Sequence, residues 1–226
     1  MPGLTRLQQR LVKTVLAATE PYGFALAGGA GLIAAGLSTR PTNDINVFSW
    51  SVDDVREAAD GVVAAIEADG LAVAPDQVFP SSVRLMATAG QARRRRQVRI
   101  EVARDPIIWP PVQTRLGTVL SPRELAANKA QALFNRVQPR DLCDIAILST
   151  QFDLEEILRD AKLKDPGFWR PVLAEMTRMV LGQPEGLWPV SIDIDAVRAF
   201  GQRMVKALED GDSLEGLKPD TPVLPS

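Results

Sequence analysis

The chain contains no histidine and only one cysteine, Cys143, among its 226 residues. The lack of histidine excludes Ser–His triads, Cys–His pairs, histidine zinc sites and histidine proton relays. The single cysteine excludes an intrachain disulfide and cysteine-rich zinc sites. Any chemistry must therefore use carboxylates, lysine, arginine, hydroxyl groups, backbone dipoles or a hard metal ion.

Long hydrophobic runs are also missing. The mainly apolar segment Phe24–Leu37 spans 14 residues, whereas a membrane-spanning helix needs about 20. Residues 1–20 mix charged and amide side chains with Leu and Val, which is not the pattern of a signal peptide. We therefore expect a soluble, cytoplasmic protein.

The net charge of −2 hides a strong asymmetry along the chain. Residues 84–140 contain 12 Lys and Arg residues and three acidic ones, a net charge of +9 that leaves −11 for the rest. A segment this basic is compatible with binding a nucleotide or a nucleic acid. A solvated basic surface explains the same charge equally well.

Hydrophobic periodicity predicts an α+β fold, in which an α/β core with a mixed sheet of four to six strands precedes a C-terminal helical bundle. We expect the core with an N-terminal helix over residues 1–110, a helical domain over 111–210 and a flexible tail over 211–226. The helices of the second half are predicted at Pro122–Arg136, Arg140–Thr150, Asp153–Ala161, Trp169–Leu181 and Asp193–Glu209.

The first candidate for function is Gly28-Gly29, which ends a predicted strand and precedes a predicted helix at Ala30–Leu37. Glycines let a phosphate approach the backbone closely, and a helix N-terminus offers free N–H groups. A tight strand-to-helix turn is the structural alternative.

The second candidate is the predicted strand Asp44–Phe48. Its alternation places Asp44 and Asn46 on the same face. Two oxygen ligands so spaced can hold one Mg²⁺ ion when phosphates supply further ligands. An exposed polar strand face is the alternative.

The third candidate is the segment from Glu124 to Leu148. Lys129 shares a helix face with Leu125 and Leu133, so its amine must reach solvent or meet an anion. Asp141 lies in the first turn of the next helix, with Asp144 one turn later. Asp141 could instead complement the helix dipole, and Arg140 could pair locally.

The fourth candidate is a run of four arginines, followed by Arg99 at a predicted hairpin. Arginine suits phosphate contacts, and these residues are our nucleic-acid-binding candidates. At most half of them can face one site in a strand, and a solvated loop is the alternative. The run consists of Arg93, Arg94, Arg95 and Arg96.

The order of these motifs resembles the AbiEii/AbiGii nucleotidyltransferase toxin family of the polymerase-β-like superfamily. The stretch FALAGGAGLIAAGLSTRPTNDINVF matches its Gly-Gly, helix and Arg-x-[Ser/Thr]-x-Asp-[Leu/Ile]-Asp pattern, except that Asn46 replaces the second acid. The stretch ELAANKAQALFNRVQPRDLCDIAIL resembles its second signature, a helix with Lys followed by Arg-Asp-Leu-x-Asp. The matching residues are Gly28, Gly29, Arg40, Thr42, Asp44, Lys129, Arg140, Asp141 and Asp144.

The resemblance implies an enzyme that transfers a nucleotide from an NTP with Mg²⁺ or Mn²⁺. It also implies a type IV toxin–antitoxin or abortive-infection setting, with a separately encoded antitoxin and tRNA as the expected acceptor. The implied catalytic residues are Asp44, Lys129 and Asp144. The implied metal ligands are Asp44, Asn46 and Glu101, the last because such folds place a third carboxylate on a neighbouring strand. The implied nucleotide-binding residues are Gly28, Gly29, Arg40, Thr42, Arg140 and Asp141.

Three other functions stay open at this point. The same core could act on a small molecule such as an aminoglycoside. The protein could bind NTP or RNA without catalysis, which Asn46 favours because an amide supplies no negative charge. It could also be a non-enzymatic helical interaction protein with a basic face.

Overall fold

The computed structural model describes residues 2–51, 53, 55–90 and 96–224. Within these ranges the chain forms a seven-stranded mixed sheet and eight α-helices, which confirms the predicted fold class. The chain divides into two compact units, Met1–Ser121 and Pro122–Ser226. Among the described residues, none of the helices combines the length and apolar character needed to cross a membrane.

The sheet belongs to the first unit and has the order β3-β4-β5-β2-β1-β7-β6. The pairs β2–β5 and β1–β7 are parallel, and the other pairs are antiparallel. The strands are β1 (Ala25–Ala27), β2 (Asp44–Ser49), β3 (Ala72–Phe79), β4 (Ser82–Ala89), β5 (Arg96–Arg104), β6 (Val112–Thr114) and β7 (Gly117–Val119).

The sheet has seven strands, whereas four to six were predicted. Residues 112–119 form a hairpin that adds to the sheet. Each strand of this hairpin has three residues, too few to show an alternating pattern. The hairpin joins the sheet through β7, in which Val119 pairs with Leu26. Residues 111–121, expected to belong to the helical domain, therefore lie in the first unit.

Three helices accompany the sheet: α1 (Arg6–Thr19), α2 (Gly28–Ala34) and α3 (Val55–Ala68). A capping box begins α1, since the Gln8 backbone N–H donates to Thr5 Oγ1 while the Gln8 side chain accepts from the Thr5 N–H. The apolar side of α1 packs against α3, and α3 packs against β3, β4 and β5. These contacts bury the apolar side chains of both helices.

The central strands have one buried face and one half-exposed face. On β2, Ile45 and Val47 are fully buried, whereas Asp44 and Asn46 are only partly covered. The neighbouring β5 repeats the pattern, with buried Ile100 beside partly covered Glu101. The predicted alternation is confirmed, and it leaves the polar side chains on the accessible face.

The second unit contains five helices, within a few residues of the predicted bounds and consistent with a helical bundle. Proline in the first turn begins three of them, and the Asp153 and Asp193 side chains cap the other two. The helices are α4 (Pro122–Asn135), α5 (Pro139–Leu148), α6 (Leu154–Lys164), α7 (Arg170–Leu181) and α8 (Ile194–Asp210).

The tail after residue 210, expected to be flexible, is anchored as far as the structure describes it. Leu214 and Val223 are buried. The Leu214 N–H donates to the Glu155 carboxylate at 3.2 Å, and the Asp193 N–H donates to the Val223 carbonyl at 3.0 Å. Two buried apolar side chains and these hydrogen bonds hold this segment against the helices.

Candidate active site

The register between β2 and β5 brings all three predicted metal ligands to one face of the sheet. Asp44 pairs with Arg99, and Asn46 pairs with Glu101. Side chains of directly paired residues point to the same face. Asp44, Asn46 and Glu101 therefore share the half-exposed face, which we call the polar face together with Arg84 and Arg99.

Each carboxylate of the polar face has an arginine partner on a neighbouring strand. Arg99 Nη1 lies 3.7 Å from Asp44 Oδ1, and Arg84 Nη2 lies 3.8 Å from Glu101 Oε1. Both separations exceed ordinary hydrogen-bond length, so these ion pairs are loose. Sequence reasoning missed Arg84 and treated Arg99 only as part of an arginine run, because strand register is invisible in a local pattern.

The polar face has the donors that a hard divalent cation prefers, namely two carboxylates and one amide oxygen. Within the described ranges, no group of three or more His, Cys, Asp or Glu side chains is arranged to hold a metal ion. Asn46, the third donor of the polar face, is an amide and so is not one of these residue types. These donor types suit Mg²⁺ or Mn²⁺ chemically, and they supply two negative charges.

The paired glycines allow a close approach, but to protein side chains. Gly28 has a φ of +60°, and a Cβ added there would overlap the Asn46 amide. A Cβ added at Gly29 would lie 2.9 Å from Thr42 Oγ1. The glycines thus make room for two residues of the first motif, and α2 begins directly at Gly28 with seven residues.

The loop before β2 contains Arg40 and Thr42, two predicted nucleotide-binding residues. Arg40 is buried, and its Nη1 donates to the Pro41 carbonyl at 3.1 Å. Gln8 on α1 donates to the Thr42 carbonyl, and the Asp44 N–H donates to Thr42 Oγ1 at 3.4 Å. The loop is therefore tied to α1 and holds Thr42 beside Asp44.

The arginine run is described only in part. Arg93, Arg94 and Arg95 lie outside the described residues, whereas Arg96 is exposed at the start of β5. Arg96 and Thr42 both line a cavity of about 510 Å³ in the first unit. This cavity adjoins the loop that leads to Asp44.

In the second unit, Lys129 on α4 meets both predicted acids on α5. Its Nζ lies 2.6 Å from Asp144 Oδ2 and 3.5 Å from Asp141 Oδ1. Arg136 completes the cluster through two hydrogen bonds to Asp141, at 2.7 and 3.0 Å. Sequence reasoning missed Arg136, although its position five residues before Asp141 offered a local clue. Arg140 is half-buried on α5.

Burial makes this cluster important for stability. Lys129 is 7% exposed, and both aspartates are fully buried. Two cations balance two carboxylates, so the intact cluster is electrostatically satisfied. Breaking such a pair leaves an uncompensated buried charge, which typically costs about 3–5 kcal/mol. The second motif therefore joins α4 to α5, whatever further role its residues have.

We predict that Gly28→Ala lowers the free energy of unfolding more than Gly36→Ala does. Both glycines have positive φ, so each variant carries roughly 1–2 kcal/mol of backbone strain. Only the Cβ at position 28 overlaps Asn46; at position 36, no heavy atom of the described structure lies within 4 Å. Urea unfolding measures the difference, and equal losses would contradict the packing of Asn46 on Gly28.

We predict that Lys129→Met lowers the free energy of unfolding by about 3 kcal/mol, because the buried Asp144 then loses its ion pair with Lys129. The double variant Lys129→Met/Asp144→Asn should recover part of that loss, since it removes both members of the ion pair. Urea unfolding of the single and double variants tests this coupling. Strictly additive losses would show that the pair contributes nothing.

The sequence and the fold both resemble those of known proteins. The family model described as nucleotidyl transferase AbiEii toxin, type IV TA system, matches residues 10–213. No curated protein matches the chain. Among solved structures, it is similar to JHP933 from Helicobacter pylori, with 16% identity, a TM-score of 0.60 and coverage of 92% of this chain and 94% of that one.

A second similar structure is that of a candidate nucleotidyltransferase from H. pylori, also with 16% identity and a TM-score of 0.60. The match covers 92% of this chain and 97% of that one. At this identity, both likenesses establish a shared fold. The family match spans most of the sequence and includes both motifs. The chain therefore belongs to the AbiEii nucleotidyltransferase toxin family of type IV toxin–antitoxin systems.

Proposed function

We propose that the protein is a Mg²⁺-dependent enzyme that transfers a nucleotide from an NTP to tRNA and so acts as a toxin. Family membership supports the reaction class and implies an antitoxin partner. The observation that carries the proposal is the placement of Asp44, Asn46 and Glu101 on one half-exposed face. Asn46 also lies against Gly28, so the two halves of the first motif form one site.

Asp44, Asn46 and Glu101 are the residues that would hold Mg²⁺ or Mn²⁺. When bound, such an ion neutralises phosphate charge and supports in-line displacement at a phosphoryl group. The Asp44 side chain is 17% exposed and is therefore less exposed than that of Glu101. Asn46 contributes only its amide oxygen, so the charge of the site depends on Asp44 and Glu101.

For nucleotide binding we assign the backbone at Gly28 and Gly29, together with the loop that contains Arg40 and Thr42. The ties between this loop and α1 support a preorganised site, because they fix Thr42 before any ligand arrives. Preorganised donors stabilise developing charge without a reorganisation cost.

In the second unit we assign Lys129 and Asp144 to catalysis, with Arg140 and Asp141 in nucleotide binding. Asp144 could serve as a general base or could orient Lys129. The 2.6 Å contact between their charged groups supports the orienting role. Lys129 would neutralise triphosphate charge, as the family resemblance implies.

A polyanionic acceptor is favoured by the charge of the chain. Residues 84–140 carry a net charge of +9, and Arg96 is exposed beside the cavity near Thr42. Basic segments of this kind bind RNA mainly through its phosphates. This supports tRNA as the acceptor over a small molecule.

We predict that Asp44→Asn reduces nucleotide transfer by about 100-fold or more, because the site loses one of its two negative charges. Purified protein is incubated with Mg²⁺, total tRNA and each α-labelled NTP in turn. Asp60→Asn is the matched control, since Asp60 is exposed on α3. Full labelling by Asp44→Asn would refute the proposed site. In a parallel incubation with small-molecule acceptors in place of tRNA, labelling of those acceptors alone would refute tRNA as the acceptor.

A binding protein without catalysis is the second candidate, and Asn46 is the observation that favours it. For an active enzyme, we expect Asn46→Asp to lower the Mg²⁺ concentration that gives half-maximal transfer, because it adds a negative charge. A Mg²⁺ titration of transfer by the two proteins measures this change. Activity that arises only in Asn46→Asp would instead establish a degenerate wild-type site.

A further inference from the structure

Arg99 is one of the two arginines of the polar face, and the proposed function gives neither of them a role. Its Nη1 lies 3.7 Å from Asp44 Oδ1, and its side chain is 46% exposed. In the strand register it stands between Met86 on β4 and Asp44 on β2. Within that row, Asp44 is therefore the group that attracts its positive charge.

Arg84, the other arginine of the polar face, has polar partners on two neighbouring strands. Its Nη1 donates to the Gln77 side chain on β3, and its Nη2 faces Glu101 on β5. The guanidinium thus has polar partners on both sides within one row of the sheet. Arg84 is held by polar groups on two neighbouring strands. Arg99 contacts the Asp44 carboxylate from one side only and remains half-exposed.

The formal charges of the four charged side chains of the polar face sum to zero before any ligand binds. Asp44 and Glu101 carry two negative charges, and Arg84 and Arg99 carry two positive ones. A divalent cation that bound alone would leave a net charge of +2 beside two guanidinium groups. Because like charges repel at these distances, such binding is weak until polyphosphate oxygens supply negative charge.

We propose that Arg99 is an exchangeable partner of Asp44, which it neutralises in the free protein and releases when cation and nucleotide bind together. Arg99 then turns to a phosphate of the nucleotide. The proposal rests on the proposed function, because it assumes that Asp44 binds the cation of a nucleotide complex. No covalent bond changes in this exchange.

Arginine is suited both to the ion pair with Asp44 in the free protein and to a phosphate contact in the nucleotide complex. Its planar guanidinium pairs with a carboxylate or with a phosphate through the same N–H groups. An ion pair as exposed and as long as that of Arg99 with Asp44 contributes little, so breaking it costs little. The exchange makes binding of cation and nucleotide cooperative, and it keeps Asp44 neutralised in the absence of substrate.

The test is a Mn²⁺ titration followed by electron paramagnetic resonance, with and without a non-hydrolysable NTP analogue. Arg99→Gln should bind Mn²⁺ alone about three- to tenfold more tightly than wild type, because one repelling charge is gone. The same variant should bind the analogue about tenfold more weakly in the presence of Mn²⁺, because a phosphate contact is lost.

Two further variants sharpen the result. Arg104→Gln removes the same charge from the far end of β5, where the guanidinium stacks 5.2 Å from the Trp50 ring, and it should match wild type in both titrations. Arg99→Lys keeps the charge, so its affinity for Mn²⁺ alone should stay at the wild-type value. The lysine variant also tests the exchange if glutamine at position 99 lowers stability.

An unchanged Mn²⁺ affinity in Arg99→Gln, including the case in which neither protein binds Mn²⁺ alone, would overturn the exchange. Transfer of label to tRNA by the wild-type protein, measured separately, decides the proposed function. If label is transferred while Arg99→Gln binds Mn²⁺ like wild type, only the exchange fails. Tighter Mn²⁺ binding with weaker analogue binding supports the exchange even if no acceptor is labelled, and then the transfer proposal alone fails.

Discussion

The parallel pairing of β2 with β5 is the constraint on which the rest of the candidate site depends. It sets Asn46 opposite Glu101 and Asp44 opposite Arg99. A slip of β2 by one residue would turn Asp44 and Asn46 toward the other face of the sheet. Buried Ile45 and Val47 prevent such a slip, since it would move them out of the core. The apolar face of the strands thus fixes the geometry of the polar one.

Charge balance recurs in both units, but burial gives it different consequences. In the cluster of Lys129, Arg136, Asp141 and Asp144, both aspartates are fully buried, so loss of their cationic partners destabilises the fold. The ion pairs of the polar face are longer and half-exposed, so their partners can change. The same residue types therefore form short, buried ion pairs in one unit and long, half-exposed ones in the other.

Much of the architecture could be predicted from the sequence. The helices of the second unit follow from proline and aspartate at their starts, and the alternation on β2 and β5 follows from burial of one face. The partners of the site could not be predicted, because Arg84 and Arg99 reach Glu101 and Asp44 through strand pairings between distant segments. The hairpin at residues 112–119 has strands of three residues each, which are too short for a periodic pattern to define both of them. Family membership could be predicted from the order of the two motifs.

The anchored tail has a consequence for how the molecule is made. Val223 is buried, and its carbonyl accepts a hydrogen bond from the N–H of Asp193 at the start of α8. The first unit has all its strands by residue 121, so it can fold while the remainder is still being synthesised. The second unit lacks part of its core until residue 223 has left the ribosome. Lys129 and its partners are therefore translated long before the helices around them are complete, and a nascent chain that stalls early carries the polar face without a finished second unit.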